Sequence, residues 1–315
     1  MRLHLPRCFC ELPLAPFPPG TPPYPTRDQF VAYLDEYARA FAVEPLLGAR
    51  VRAAAYDAAI GFWRVTVKVV GKDAMTTMAT EFMSRWLVVA TGENAEPVWP
   101  GGVEGMDVYR GTVMHTSTYK RGDEFAGKKV LVVGCGNSGM EVSLDLCDNG
   151  AKASMVVRDK LHVLPRDILG ISTFGLSIGP LQIKKSTGKT PVLDIGALKK
   201  IRDGEIKVVP AINRFTEIGV EFADGRKDFD AVILATGYKS NVPSWLKEDE
   251  FFSQSDGFPR MAFPHSWRGK NGLYATGFTR RGLMGSSYDA SRIAADIADQ
   301  WTEALARNIT AHNNA

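Results

Sequence analysis

Apolar positions along this chain are grouped in two ways, and the grouping predicts where strands and helices lie. Short runs in which nearly every residue is apolar mark parallel strands covered on both faces: 130–133, 153–157, and the stretches 86–92 and 229–237, which both end in Ala-Thr-Gly. Residues 62–70 alternate as an antiparallel strand does, with Gly71-Lys72-Asp73 as the turn. The order of antiparallel strand, turn and apolar strand into Ala-Thr-Gly recurs with 218–222 and the turn Ala223-Asp224-Gly225, an internal repeat of organisation. A third apolar strand, 272–277, ends in the same tripeptide.

Helical spacing predicts three helices. The first follows Thr26 as cap, with Gln29 three residues on and Phe30, Tyr33, Leu34, Tyr37 and Phe41 on one face. A second, 138–147, carries Met140, Leu144 and Cys147 and is stopped by Asp148-Asn149-Gly150. The third, 287–308, aligns Ile293, Ile297, Trp301 and Leu305, with Ile309 just beyond. Ahead of the first helix, the proline-rich stretch 12–25 can form neither a central strand nor a helix interior, so it predicts an extended surface or crossing segment.

Between the 130–133 run and the second helix lies Gly134-Cys135-Gly136-Asn137-Ser138-Gly139, with G-x-G-x-x-G spacing. The first glycine permits a tight turn, the second lets backbone approach a pyrophosphate, and the third lets helix pack on strand. Helix N-terminal amides then face the phosphate. The next strand ends in Arg158, where an acidic side chain would bind the ribose 2′-hydroxyl of NAD; an arginine there suits the 2′-phosphate of NADPH. Cys135 and Asn137 belong to the same turn, Cys135 for its small size. Thr91-Gly92, Thr236-Gly237 and Gly277 end the three Ala-Thr-Gly strands, where a backbone can come close to a nucleotide.

Composition narrows the classes. Charged residues are 23% with a net charge of +3, and the lysine pairs are scattered, which excludes a nucleic-acid face. The four cysteines, Cys8, Cys10, Cys135 and Cys147, form no C-x-x-C pair and no metal-ligand spacing with histidine, so no metal is expected and a cytosolic setting is the simplest inference, with the endoplasmic reticulum surface also open. No apolar run reaches membrane-spanning length, and the amino terminus does not read as a secretory signal.

Several stretches together resemble the plant YUCCA flavin-containing monooxygenases: Arg2-Leu-His-Leu-Pro-Arg7, Ala90-Thr-Gly-Glu-Asn-Ala-Glu96, His115-Thr-Ser-Thr-Tyr119, the glycine turn with Met140-Glu-Val142, Ser186-Thr-Gly-Lys-Thr-Pro-Val192, and Ala235-Thr-Gly-Tyr-Lys-Ser-Asn-Val-Pro-Ser-Trp245. The wider signature F-x-G-x-x-x-H-x-x-x-Y falls on Tyr109, Gly111, His115 and Tyr119, with Tyr for Phe at its first position. The resemblance implies a three-layer α/β fold of two Rossmann-like dinucleotide-binding domains. One is a discontinuous FAD-type domain of 1–96 and 230–315, and the other an inserted NADPH domain of 97–229. It also implies FAD and NADPH as cofactors, a keto acid and molecular oxygen as substrates, and oxidative decarboxylation of indole-3-pyruvate to indole-3-acetate through a flavin C4a-peroxide. Family members open with a strand and a G-x-G-x-x-G of their own. This chain starts after it and lacks a stretch between Ile178 and Gly179, so a flavin domain truncated at its amino end, with an uncovered sheet edge, and a shortened NADPH domain are expected.

For individual residues, Asn94 is placed to hydrogen-bond cofactor or peroxide, although a loop turn accounts for it as well. Arg280 and Arg281 are candidates for the substrate carboxylate, His115 reads as a hinge histidine rather than a base, and His4 lies where relatives carry a flavin-facing asparagine. Two other functions stay open: oxygenation of nitrogen or sulfur by the same flavin, and a non-catalytic chain that retains at most NADPH binding. A disulfide reductase is disfavoured because its C-x-x-C is missing.

Overall fold

The computed structural model describes residues 2–3, 5–70, 77–158, 163–165 and 192–313. His4, the Gly71-Lys72-Asp73 turn, the Ile178–Gly179 junction and 186–191 lie outside the described residues. The chain divides into two compact units. Unit 1 comprises Met1–Pro6, Pro23–Arg27 and Pro97–Gly237, and unit 2 comprises Arg7–Pro22, Asp28–Glu96 and Tyr238–Ala315.

In unit 2 the proline-rich segment packs against helix α1 (Arg27–Ala40). The Phe17 ring stacks on Tyr33 at 4.0 Å, and the Tyr33 hydroxyl donates to Ala15 C=O at 2.7 Å while accepting Leu12 N–H at 2.8 Å. The proline-rich stretch, which makes few backbone pairs of its own, is thus tied down by a tyrosine. The predicted apolar face is buried only around Tyr33; Leu34 and Phe41 are exposed. Strands β1 (Ala49–Asp57), β2 (Phe62–Val70) and β3 (Thr77–Ser84) form an antiparallel sheet, and β4 (Leu87–Val89) leads into the first Ala-Thr-Gly.

In unit 1, strand β5 (Thr112–His115) precedes β6 (Lys129–Val133), α2 (Asn137–Asp148) and β7 (Lys152–Val156). Helix α3 (Ala197–Arg202), β8 (Lys207–Val209) and the antiparallel strands β9 (Ile212–Thr216), β10 (Gly219–Phe222) and β11 (Gly225–Asp228) follow, and β12 (Ala231–Leu234) ends in the second Ala-Thr-Gly. The parallel sheet has the order β8-β7-β6-β12-β5.

Because strand side chains alternate, β6 feeds two cores. Val130 and Val132 pack with Met140 and Leu146 on the α2 side, and Leu131 packs with Phe215, Val220 and Phe222 on the side of the antiparallel strands. Val130, Leu131 and Val132 are all fully buried, and burying each stabilises the unit by about 1.5–3 kcal/mol. Helix, parallel sheet and antiparallel layer make three layers, as the family resemblance implies. Asn149, just past α2, donates its N–H to Asp145 C=O at 3.1 Å, and Gly150 takes a φ of 80°, so the stop is the one that Asp148-Asn149-Gly150 announces.

The chain returns to unit 2 through α4 (Val242–Trp245), β13 (Leu246–Lys247), β14 (Leu273–Ala275) and α5 (Gly282–Asn313). Strand β13 adds in parallel to β1, and β14 pairs in parallel with β4. Helix α5 starts earlier than its periodicity suggests and buries Ile293, but Trp301 and Leu305 are exposed; the Trp301 ring meets Trp86 at 5.9 Å. The uncovered edge expected in this unit is not found at β14, whose free side is paired by residues 267–269. A sheet edge left open is costly, and the preceding turn is long enough to fold back onto it.

Asp289 of α5 is 1% exposed, and its Oδ1 has no hydrogen-bond partner. Burial pushes its carboxyl up to about 6, against the pull of Arg292. A group whose folded-state pKa is raised binds its proton more tightly when folded, so it favours folding below its ordinary pKa of 3.8 and loses that effect as pH rises through about 6. Asp289→Asn is therefore expected to stabilise the chain at pH 7.5 by about 1–3 kcal/mol and to flatten the pH dependence between the two values. Urea midpoints measured across that range check it; a variant less stable than the parent at pH 7.5 contradicts it.

Candidate functional site

The turn from β6 into α2 is held by contacts that only glycine permits. Gly134 has a φ of 120°, and a Cβ built on it would stand 2.5 Å from Ala235 O. On Gly139 a Cβ would stand 2.1 Å from Gly134 O, so strand end and helix start touch backbone to backbone. At Gly136, with a φ of −71°, a Cβ would meet nothing within 4 Å. That open side is the approach a pyrophosphate needs. Ser138 is exposed beside it, and Asn137 faces the other way, its Oδ1 accepting Leu193 N–H at 2.8 Å.

A cavity of about 570 Å³ opens here, at the carboxyl ends of β6, β7 and β12, where open α/β sheets hold their ligands. It brings together Gly134, Cys135, Gly136, Arg158 and Thr236 from the sequence reading. Val98, Met106, Ile212 and Phe215 supply apolar walls. Sequence reasoning missed these four because nothing separates a wall residue from a core residue in the apolar pattern. Backbone cradle, helix start, exposed arginine and apolar wall fit a nicotinamide dinucleotide carrying a 2′-phosphate.

The second Ala-Thr-Gly closes the base of unit 1. The Thr236 hydroxyl donates to Val98 C=O, and Val98 N–H donates to Gly237 C=O at 3.0 Å. His115 lies against the same corner. Its Nε2 is 3.1 Å from Gly237 O, and its Nδ1 accepts Ser117 N–H at 3.1 Å. One partner can only accept and the other can only donate, so the ring is neutral with its proton on Nε2. Burial holds its pKa below the ordinary 6.5. With both nitrogens engaged and the side chain 1% exposed, His115 is satisfied by backbone contacts within unit 1 rather than poised as a base, as the sequence reading preferred.

The other signature positions are also fastenings. The Tyr109 hydroxyl donates to Phe229 C=O at 2.7 Å, and burial pushes its phenol up to about 12. Gly111 leaves room for that ring, since a Cβ there would stand 2.2 Å from the Tyr109 hydroxyl. The Tyr119 hydroxyl donates to Asp145 Oδ2 at 2.7 Å, fixing the strand-side loop to α2. Tyr119→Phe is expected to cost about 1–3 kcal/mol by leaving the carboxylate short of a donor. Chemical denaturation reads this, and an unchanged midpoint would contradict it.

In unit 2, Gly92 and Gly277 end β4 and β14 with φ of 70° and 86°, and a Cβ on Gly277 would stand 3.3 Å from Gly92 Cα. Thr91 is exposed, as is Asn94 in the turn beyond. Arg280 lies over the Phe258 ring at 4.5 Å and Arg281 over Phe263 at 4.0 Å, so aromatic faces engage both candidate carboxylate partners. The described residues of unit 2 thus have two glycine strand ends and the start of α5, and among them there is no second G-x-G-x-x-G turn.

A family model described as pyridine nucleotide-disulphide oxidoreductase matches residues 15–277. Indole-3-pyruvate monooxygenase YUCCA4 of Oryza sativa subsp. japonica is 54% identical over 341 residues, covering 95% of this chain and 77% of that protein. Indole-3-pyruvate monooxygenase YUCCA6 of Arabidopsis thaliana is 52% identical over 342 residues, covering 96% and 80%. Both alignments are longer than this chain of 315 residues, so the relatives carry internal residues that have no counterpart here. Among solved structures, a flavin-containing monooxygenase from Stenotrophomonas maltophilia superposes with a TM-score of 0.71 at 24% identity, covering 95% of this chain and 84% of the other. An oxidized steroid monooxygenase bound to NADP gives 0.70 at 16%, covering 94% and 76%. These two show the shared fold. No helix among the described residues is long and apolar enough to cross a membrane. On the strength of the match along nearly its whole length, the chain belongs to the YUCCA family of flavin-dependent monooxygenases, enzymes that use FAD and NADPH.

Proposed function

We propose that this chain catalyses the oxidative decarboxylation of indole-3-pyruvate to indole-3-acetate, with unit 1 as the NADPH domain and unit 2 as the flavin domain. The observation that carries the reading is the cavity in which the glycine turn and Arg158 meet. The balance is one keto acid, one O₂, one NADPH and one proton giving the shortened acid, carbon dioxide, water and NADP⁺. One oxygen atom enters the new carboxyl group and the other leaves as water. When bound, NADPH supplies the hydride and the flavin the site at which oxygen is activated.

In this reading the backbone at Gly134 and Gly136 and the first amides of α2 hold the pyrophosphate, while Arg158 holds the 2′-phosphate. The apolar walls from Val98, Met106, Ile212 and Phe215 keep water off the dinucleotide. Thr91, Gly92 and Gly277 are assigned to the flavin side, and Asn94, exposed in its turn, to hydrogen bonding with the reacting group. The test is to supply the purified chain with FAD, NADPH and indole-3-pyruvate and to follow NADPH oxidation together with indole-3-acetate by mass spectrometry. Keto-acid-dependent NADPH oxidation with matching product supports the assignment. NADPH oxidation without indole-3-acetate would refute it.

A further inference from the structure

The antiparallel strands of unit 2 belong to a sheet of order β13-β1-β2-β3, so β13 and β3 are its two edges. The first edge is defended. It is only Leu246 and Lys247, and so short a strand, ending in a lysine, offers little for another chain to pair with. The second edge is not. Strand β3 is eight residues long, contains no proline, glycine or lysine, and pairs with β2 in unbroken register from Trp63 opposite Ser84 to Val70 opposite Thr77. A strand sends alternate N–H and C=O groups to its two sides, so about half of those of β3 face the outer edge. No other described strand or loop pairs with them.

The side chains show the same lack of cover. Residues paired across a sheet share a face, so Thr80, Phe82 and Ser84 lie on the face of Val67, Val65 and Trp63, where Val67 and Trp63 are buried. On that face Phe82 is 44% exposed, because the sheet ends beside it, and on the other face Met83 is 61% exposed. The one charge of the strand, Glu81, is met by Arg64 of β2 at 3.1 Å, which blunts it as a guard of the edge.

A second copy of the same strand fits this edge. In an antiparallel pair related by a two-fold axis, the alternation of side chains requires one residue to lie opposite its own copy. A centre at Thr80 pairs residues 77–83 of each copy and a centre at Glu81 pairs 78–84, longer than any other centre allows. The second sets carboxylate against carboxylate, which is destabilising. The first sets Thr80 opposite Thr80, Ala79 opposite Glu81 and Met78 opposite Phe82. No like charges then meet, and apolar residues continue the core face across the seam.

We propose that β3 is a dimerisation edge, joining two copies of this chain about a two-fold axis at Thr80 and merging their four-stranded sheets into one. Sedimentation equilibrium of the full-length chain is expected to show a reversible monomer-dimer equilibrium with a dissociation constant of roughly 1–10 μM, since one strand per copy is a small interface. A chain still monomeric at roughly a hundred times that concentration overturns the proposal.

Two substitutions at one exposed position read the register. Ala79→Lys sets an ammonium opposite Glu81 of the second copy, twice per dimer, and is expected to tighten association roughly fivefold at low salt. Ala79→Glu sets a carboxylate there and is expected to weaken association by a similar factor. Opposite signs at one position cannot come from a general folding defect. Changes of the same sign, or none, overturn the proposal. Should a variant fail to fold, hydrogen exchange on the parent decides: protection of the outward-facing β3 amides that rises with protein concentration across the dissociation constant supports the dimer, and protection independent of concentration overturns it.

Discussion

Replacing Arg158 with alanine is expected to raise the Kd for NADPH by roughly 10- to 100-fold while leaving that for NADH within about twofold. The guanidinium is exposed at the cavity rim, where β7 ends, and the one chemical difference between the two nucleotides is the 2′-phosphate. A hydrogen bond to a charged partner contributes about 1.5–3 kcal/mol, which sets the size of the change. Lysine at this position should recover part of the loss, because it returns the charge without the forked pair of donors. Titration calorimetry with both nucleotides measures the ratio directly. An unchanged ratio in Arg158→Ala would remove the arginine from the site.

Gly139→Ala is expected to be worse, abolishing measurable NADPH binding and destabilising unit 1. In a helix interior, alanine normally gains about 1 kcal/mol over glycine. Here the added carbon would stand 2.1 Å from Gly134 O and 2.8 Å from its carbonyl carbon, and both are backbone atoms. The turn and the helix start would have to separate, with a net cost of about 1–3 kcal/mol or more. Gly136→Ala is the informative control. With open space and an ordinary φ, it should leave the thermal midpoint nearly unchanged while still weakening NADPH, because the methyl group would occupy the approach of the pyrophosphate. If both variants melt like the parent, the packing argument for Gly139 fails.

The contrast between these glycines shows which parts of the molecule could be read in advance. Their roles were legible because each follows from local backbone geometry that six residues encode. The strands of unit 1 were legible for a similar reason, since continuous apolar runs and alternating runs demand different neighbours, whereas its three-layer order came from the family resemblance. Helix faces were less so. Tyr33 and Ile293 are buried, yet Phe41, Trp301 and Leu305 on the same stripes are exposed, because periodicity says which residues share a face but not how far the covering layer extends. Pairing of 267–269 with β14 was not legible at all. Nothing in Ser266-Trp267-Arg268-Gly269 alternates, and its pairing follows from the vacant hydrogen-bonding groups of a neighbour, which is a property of the assembled sheet. The aromatic rings beneath Arg280 and Arg281 were not legible either, since they come from residues well upstream.

The bonds that tie Val98 to Thr236 and Gly237 also bear on how the chain was put together. They pin the entry and exit of the long excursion 98–237 side by side, so from outside the excursion behaves as a single short connector. Closing a loop whose two ends already meet costs the flanking sequence little conformational entropy. Such a module can be lengthened, trimmed or exchanged internally while the bonds at its two ends stay in place, and grafting the cassette at an exposed turn of an unrelated scaffold should carry its cavity along.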